Sequence, residues 1–160
     1  MKNDQIFTPS HIVRKMLDDI GYTGENLQNR TIFEPSFGDG AFLTEIVSRI
    51  LAYAKANSLK GQDIISMLDN VYGIELDSDL YKKCLSRLNK LLEVYNLTYD
   101  WKKLACQDAL DYAANQQFDY VVGNPPYIRI HYLDEATRRK IKNNYEFGTG
   151  TTDLYVIFLR

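Results

Sequence analysis

The feature that most constrains the fold is a repeated alternation of short apolar runs and longer helical patterns. Residues 31–36 predict a buried strand, followed by a turn with two glycines and a helical pattern over residues 41–56. Residues 70–76 predict a second strand, and Asp77 can cap the helix that follows. This alternation favours an α/β fold in which helices flank a parallel sheet.

Weaker patterns lie on either side of these units. Residues 103–106 and 118–122 predict a third and a fourth strand joined by a short crossover. Residues 8–21 predict a helix in which Thr8 is the cap and Pro9 occupies the first turn. Residues 133–145 predict a basic helix, and a further helix is expected to begin near Thr152. The apolar stripe of the first helix consists of Ile12, Val13, Met16, Leu17 and Ile20.

Size and charge narrow the class of protein. A chain of 160 residues that is 45% hydrophobic predicts one domain with one core. The net charge of -2 excludes the overall basic excess of a self-sufficient nucleic-acid binder, so any DNA contact must be local. Cys84 and Cys106 fit neither a metal-ligand spacing nor a disulfide framework, which favours the cytoplasm and no metal. No apolar run reaches the roughly 20 residues of a membrane span.

The turn after the first strand is the first candidate site. It contains Glu34, Pro35 and Ser36, followed by Gly38 and Gly40. In open α/β sheets, ligands bind at the carboxyl edge, where glycines let the backbone approach them and a helix N-terminus favours a carboxylate. Taken alone, a tight turn that needs glycine would explain this pattern equally well.

Acidic residues follow the next two strands. Glu75 can accept hydrogen bonds from ribose hydroxyls, and its long separation from the glycine turn disfavours a dinucleotide, whose acid is expected about 20 residues on. Asp108 can accept from an adenine amine or cap the short helix that it starts. A turn for a carboxylate, an acid for a ribose and an acid for a base match the shape of S-adenosylmethionine.

The decisive motif is Asn124-Pro125-Pro126-Tyr127, directly after the fourth strand. An aromatic amine is a poor nucleophile, so a catalyst should accept both amine protons and localise the lone pair. The Asn124 side-chain oxygen and the Pro125 carbonyl are two suitable acceptors, and Tyr127 can stack on a base swung out of a duplex. The alternative is a proline turn with Tyr127 as a core aromatic.

On these motifs the chain resembles the N6-adenine DNA methyltransferases of restriction-modification systems. The resemblance covers nearly the whole chain and also includes Thr8, within Phe7-Thr8-Pro9, and the segment from Thr152 to Tyr155 with Phe158. It implies that Asn124, Pro125 and Tyr127 handle the adenine. The residues predicted to contact S-adenosylmethionine are Thr8, Glu34, Pro35, Ser36, Gly38, Gly40, Glu75, Leu76, Asp108, Ala109 and Asn124.

The resemblance also implies a domain organisation. We expect residues 1–160 to be the N-terminal part of the catalytic domain in a Rossmann-like fold, truncated after the fourth strand, without the target-recognition domain. The expected partners are double-stranded DNA with a flipped adenine and a restriction endonuclease or a specificity domain or subunit. The expected location is the cytoplasm, without membrane contact.

Two other functions stay open. The Asn-Pro-Pro-Tyr loop can hold any planar NH2 group, so methylation of a glutamine side-chain amide is possible, although those enzymes carry a large helical domain before the cofactor turn. A non-catalytic cofactor-binding fragment of a restriction complex is a third reading. Basic residues after the loop could pair with DNA phosphates: Arg129, His131, Arg138, Arg139, Lys140 and Lys142. For Arg138 to Lys142 a solvated helix face explains the pattern equally well.

Overall fold

The protein is built on a four-stranded parallel sheet. The computed structural model describes residues 8–112, 117–144 and 153–154. Its strands are β1 (Ile32–Glu34), β2 (Val71–Glu75), β3 (Leu104–Cys106) and β4 (Tyr120–Val121), and their order in the sheet is β3-β2-β1-β4. All three strand pairings are parallel. The four predicted strands are confirmed, each somewhat shorter than its apolar run.

Six helices accompany the sheet in the described residues. They are α1 (Ser10–Asp19), α2 (Asn26–Asn29), α3 (Ala41–Ala56), α4 (Gly61–Leu68), α5 (Ser78–Glu93) and α6 (Glu135–Asn144). The predicted bounds of α3 are confirmed, and Asp77 caps α5 by accepting from the amides of Asp79 and Leu80. The sequence analysis did not predict α2 or α4, which are short and whose apolar pattern covers few turns.

Helix α3 lies at the centre of the core. Its apolar residues recur every three or four positions and are buried, and it contacts α1, α2, α4 and α5. The strands meet this layer through alternate side chains such as Ile32, Val71 and Leu104. The opposite face of β1 carries Phe33, whose ring stacks on Phe118 at 4.7 Å between centroids.

Helix α1 differs from its prediction at its start and along its surface. Its N-cap residue is Pro9 and no side chain caps it, so the predicted capping by Thr8 is wrong. Val13 and Leu17 are buried, but the rest of the predicted stripe is more than a third exposed because α1 contacts α3 along a narrow face only. No helix in the described part of the chain is long and apolar enough to cross a membrane.

A second, smaller apolar cluster lies apart from the main core. It joins Leu110, which follows β3, to Ile141 of α6, and it also contains Ile130 and Leu154. Asp153 forms an antiparallel bridge with Arg129. The rest of the helix predicted from Thr152, including Tyr155 and Phe158, lies outside the described residues. This cluster attaches α6 to the segment that follows β3.

Candidate active site at the carboxyl edge of the sheet

The turn after β1 and the loop after β4 are brought side by side. Because these strands are neighbours in the sheet, Gly123 packs against Glu34: the position of a Cβ on Gly123 would lie 3.6 Å from Glu34 Cγ. A pocket of about 90 Å³ lies between the two segments. It is lined by Pro35, Ser36, Val121, Val122, Gly123, Asn124 and Pro125.

Glu75 organises the glycine turn from the end of β2. The side chain is buried, its Oε2 accepts the Gly38 amide at 2.6 Å, and its Oε1 accepts the Asp77 amide at 2.8 Å. Ionised carboxylates offer about four acceptor positions, so two remain for a ligand. The predicted ribose acceptor is therefore also the residue that fixes the turn.

Glu34 is the least satisfied polar group of the site. It is 2% exposed, and its Oε2 has no hydrogen-bond partner. Burial raises the pKa of Glu34 well above its ordinary value, the nearby Glu75 charge raises it further, and the Leu43 amide opposes both. The Leu43 amide lies in the first turn of α3, so the protein's own Glu34 occupies part of the helix N-terminus that we expected to receive a ligand carboxylate.

Gly40 is required by packing as well as by the turn. Its φ is +85°, in the left-handed region, and a Cβ there would overlap Cys84 Sγ of α5. Arg87, one turn further along α5, donates to the backbone oxygen and the Oδ2 of Asp39, both at 3.0 Å. Helix α5 thus fixes the glycine turn through its contacts with Gly40 and Asp39.

Asp108 has the capping role that the sequence left open, and its role as acceptor of an adenine amine stays a prediction. It is the N-cap of the 3-10 turn Ala109–Asp111, where its Oδ1 accepts the Leu110 amide at 2.9 Å. Its Oδ2 accepts from Lys140 of α6 at 2.8 Å, and its side chain stays 27% exposed. The residue lies beside Glu75 because Cys106, two positions earlier, pairs with Glu75 in the sheet.

The remaining predicted residues lie around this centre. Tyr127 is 71% exposed, which excludes the reading of it as a core aromatic. Leu76 follows Glu75 and is 69% exposed. Thr8 is half-buried and lies just before α1. The other predicted site residues lie at the strand ends or follow them at the carboxyl edge.

The chemistry of the edge suits a cationic nucleoside. It presents acidic groups on three strand ends together with a buried, unpartnered oxygen of Glu34, which fits a ligand that carries a sulfonium and an ammonium group. In the described part of the chain, no group of three His, Cys, Asp or Glu residues could hold a metal ion. The residues present therefore fit S-adenosylmethionine.

Comparison with known families identifies the chain. Residues 43–160 match the family described as Eco57I restriction-modification methylase. The chain belongs to this family. The family assignment agrees with the resemblance found in the sequence, and the match includes the ends of β2, β3 and β4 with their site residues.

Curated relatives extend the similarity to nearly the whole chain. The chain is 33% identical to the type II methyltransferase M.BstVI of Geobacillus stearothermophilus, over 97% of the chain and 30% of that relative. It is 31% identical to M.PaeR7I of Pseudomonas aeruginosa, over 96% of the chain and 28% of that relative. The chain therefore spans about a third of the length of these relatives.

Solved structures confirm the fold. A modification subunit of a putative type I restriction enzyme from Vibrio vulnificus aligns with a TM-score of 0.66 at 18% identity, over 99% of this chain and 30% of that one. A putative class I S-adenosylmethionine-dependent methyltransferase from Listeria monocytogenes gives 0.62 at 16% identity, over 99% and 42%. The predicted methyltransferase fold is confirmed, and S-adenosylmethionine is the cofactor of that fold class.

Two residues of the methylase site escaped the sequence analysis. They are Asp39, which lies between Gly38 and Gly40, and Arg87 of α5. A weak signal existed, because Arg87 follows the buried Cys84 by three residues and so projects from nearly the same face of the helix. The pairing of Arg87 with Asp39 nevertheless depends on how α5 packs, which spacing alone does not give.

Proposed function

We propose that this chain is the cofactor-binding and catalytic part of a DNA methyltransferase that methylates N6 of adenine. The observation that carries the proposal is the shared pocket between the turn after β1 and the Asn124–Pro125 segment after β4. One side of this pocket suits a cationic cofactor and the other offers amine acceptors. Direct transfer between the two needs no covalent enzyme intermediate.

The chain's own residues bind and orient the reacting amine. Asn124 Oδ1 accepts a hydrogen bond from one N–H of the amine, and the Pro125 carbonyl accepts one from the other. These two bonds draw the nitrogen lone pair out of the ring. The exposed Tyr127 ring stacks on the flipped base and offsets part of the lost base stacking. When bound, S-adenosylmethionine supplies an electrophilic methyl group.

The residues at each strand end bind a different part of the cofactor. Glu34 and the turn after it face the methionine part, Glu75 accepts from the ribose, and Asp108 accepts from the adenine amine. The buried Oε2 of Glu34 gains a partner when the cationic ligand arrives, which favours binding. The further predicted contacts, from Pro35, Ser36, Gly38, Gly40, Leu76 and Ala109, come from backbone and apolar surface near these acids.

DNA is the substrate best supported by the surroundings of the pocket. Arg138 and Lys142 are exposed on α6 and can contact phosphates. A DNA complex of DrdV aligns with a TM-score of 0.63 at 19% identity, over 96% of this chain and 18% of that one. Double-stranded DNA with a flipped adenine, and a restriction endonuclease or specificity subunit, are the proposed partners, and the cytoplasm is the proposed location.

A product assay tests the proposal. The native-length protein is incubated with methyl-labelled S-adenosylmethionine and either double-stranded DNA or protein, and the product is digested and identified. We expect N6-methyladenine in the DNA arm. Label on cytosine N4, label on a glutamine amide, or no transfer with intact cofactor binding would each contradict the proposal and would favour a different amine substrate or a non-catalytic fragment.

A further inference from the structure

Lys140 is the basic residue of α6 that turns towards the proposed cofactor site. Its Nζ lies 2.8 Å from Asp108 Oδ2 and 2.8 Å from Asp111 Oδ2. Its neighbours behave differently: Arg139 pairs with Glu135 on the same helix, and Lys142 is exposed. The basic face predicted for this helix therefore lacks Lys140.

Attachment of the helix does not require this lysine. Ile141, the next residue, is fully buried in the cluster with Leu110 and already fixes α6 to the segment after β3. The paired carboxylates instead raise the pKa of Lys140, so the ammonium stays charged at neutral pH. A charged group at 2.8 Å fixes the orientation of the Asp108 carboxylate.

The contact leaves room for a ligand. An ionised carboxylate has about four acceptor positions. The Leu110 amide and Lys140 use two of those on Asp108, whose side chain remains 27% exposed. An adenine amine can therefore share Asp108 with Lys140 without displacing it.

We propose that Lys140 is a positioning residue that orients Asp108 for the adenine amine of the cofactor. The proposal rests on the proposed function, in which Asp108 binds that amine. It also joins the cofactor subsite to α6 through the contact between Lys140 and Asp108.

Two ligands separate positioning from packing. The native-length protein is titrated calorimetrically with S-adenosylhomocysteine and with the analogue in which hydrogen replaces the adenine amine. Lys140→Met is expected to weaken the first by about tenfold and the analogue hardly at all, because only the first uses Asp108. Asn143→Ala, at an exposed position of the same helix, is the control and should change neither affinity. Lys140→Arg should restore much of the discrimination.

Every other outcome overturns the proposal. Equal weakening of both ligands means a packing role, no change means no role, and tighter binding of S-adenosylhomocysteine means that Lys140 competes with the amine. Asp111→Asn removes the second anchor of Lys140 without touching Asp108, so a smaller loss in the same direction is expected even if Lys140→Met folds poorly. If the wild-type protein binds neither ligand, the proposed function itself fails and the role of Lys140 fails with it.

Discussion

The turn after β1 and the loop after β4 face the same pocket but are held in different ways. The turn is fixed by its own protein contacts: Glu75 accepts the Gly38 amide, and Arg87 holds Asp39. The loop after β4 presents a half-buried Asn124 and an exposed Tyr127. One segment is organised by buried hydrogen bonds, whereas the other presents side chains that are less buried.

The difference indicates that the two segments have different roles at the same edge of the sheet. Changes in the turn should act on folding and cofactor binding, because its polar groups are buried and paired. Changes in the loop should act on transfer, because Asn124 is only half-buried and Tyr127 is exposed. Variants of the two segments test this division.

The largest effect is expected for Asn124→Ala. Loss of one amine acceptor should reduce methyl transfer by about 100-fold or more, while stability and cofactor affinity change little. Transfer is measured with labelled cofactor and DNA, and affinity by calorimetry. Asn29→Ala, at an exposed end of α2, is the control and should leave transfer unchanged. Full transfer by the Asn124 variant would remove this residue from the mechanism.

Gly40→Ala should have the largest effect on stability. The added methyl group meets Cys84 Sγ and the residue keeps a positive φ, so we expect a loss of about 3 kcal/mol in the free energy of unfolding. Gly24→Ala is matched in backbone conformation, with a φ of +57° and nothing within 4 Å, and should cost about 1 kcal/mol. Similar losses in urea denaturation would mean that the contact with α5 does not matter.

Arg87→Met tests the contact between α5 and Asp39 of the glycine turn. Because Arg87 is partly exposed, its loss should lower stability by only about 1 kcal/mol and should weaken binding of S-adenosylhomocysteine. Lys90→Met on the exposed surface of the same helix should stay within about 0.5 kcal/mol of the wild type. Unchanged affinity for S-adenosylhomocysteine in the Arg87 variant would mean that the contact between Arg87 and Asp39 does not affect the cofactor site.

Glu34→Gln should change how the free energy of unfolding depends on pH. Burial raises the pKa of Glu34, so the folded protein keeps a proton that the unfolded chain loses above its ordinary pKa of 4.5. Stability of the wild type should therefore fall as pH rises from 4.5 to the raised value. In melting curves from about pH 5 to about pH 8, the variant should lack this fall. Parallel profiles would mean that Glu34 titrates normally.

The strands and the long helices could be predicted because the sequence patterns that specify them are local. The bounds of α3 follow from apolar spacing, and the cap at Asp77 follows from a residue type at a helix start. The start of α1 was misplaced because Thr8 is a good cap by type, whereas the chain enters that helix at Pro9. Three of the five residues in its apolar stripe are exposed because burial depends on which neighbour a helix meets.

The sequence by itself determined the family, the parallel sheet and the position of the candidate residues at its carboxyl edge, since residue type and period act over a few positions. Only the tertiary structure decided the partners of those residues. It placed Leu43 and Gly123 against Glu34, Arg87 on Asp39, and Lys140 on Asp108. Apart from Leu43 and Glu34, which belong to one strand–turn–helix unit, these pairs lie 32 or more positions apart, and packing of the core, which no local pattern encodes, brings them together.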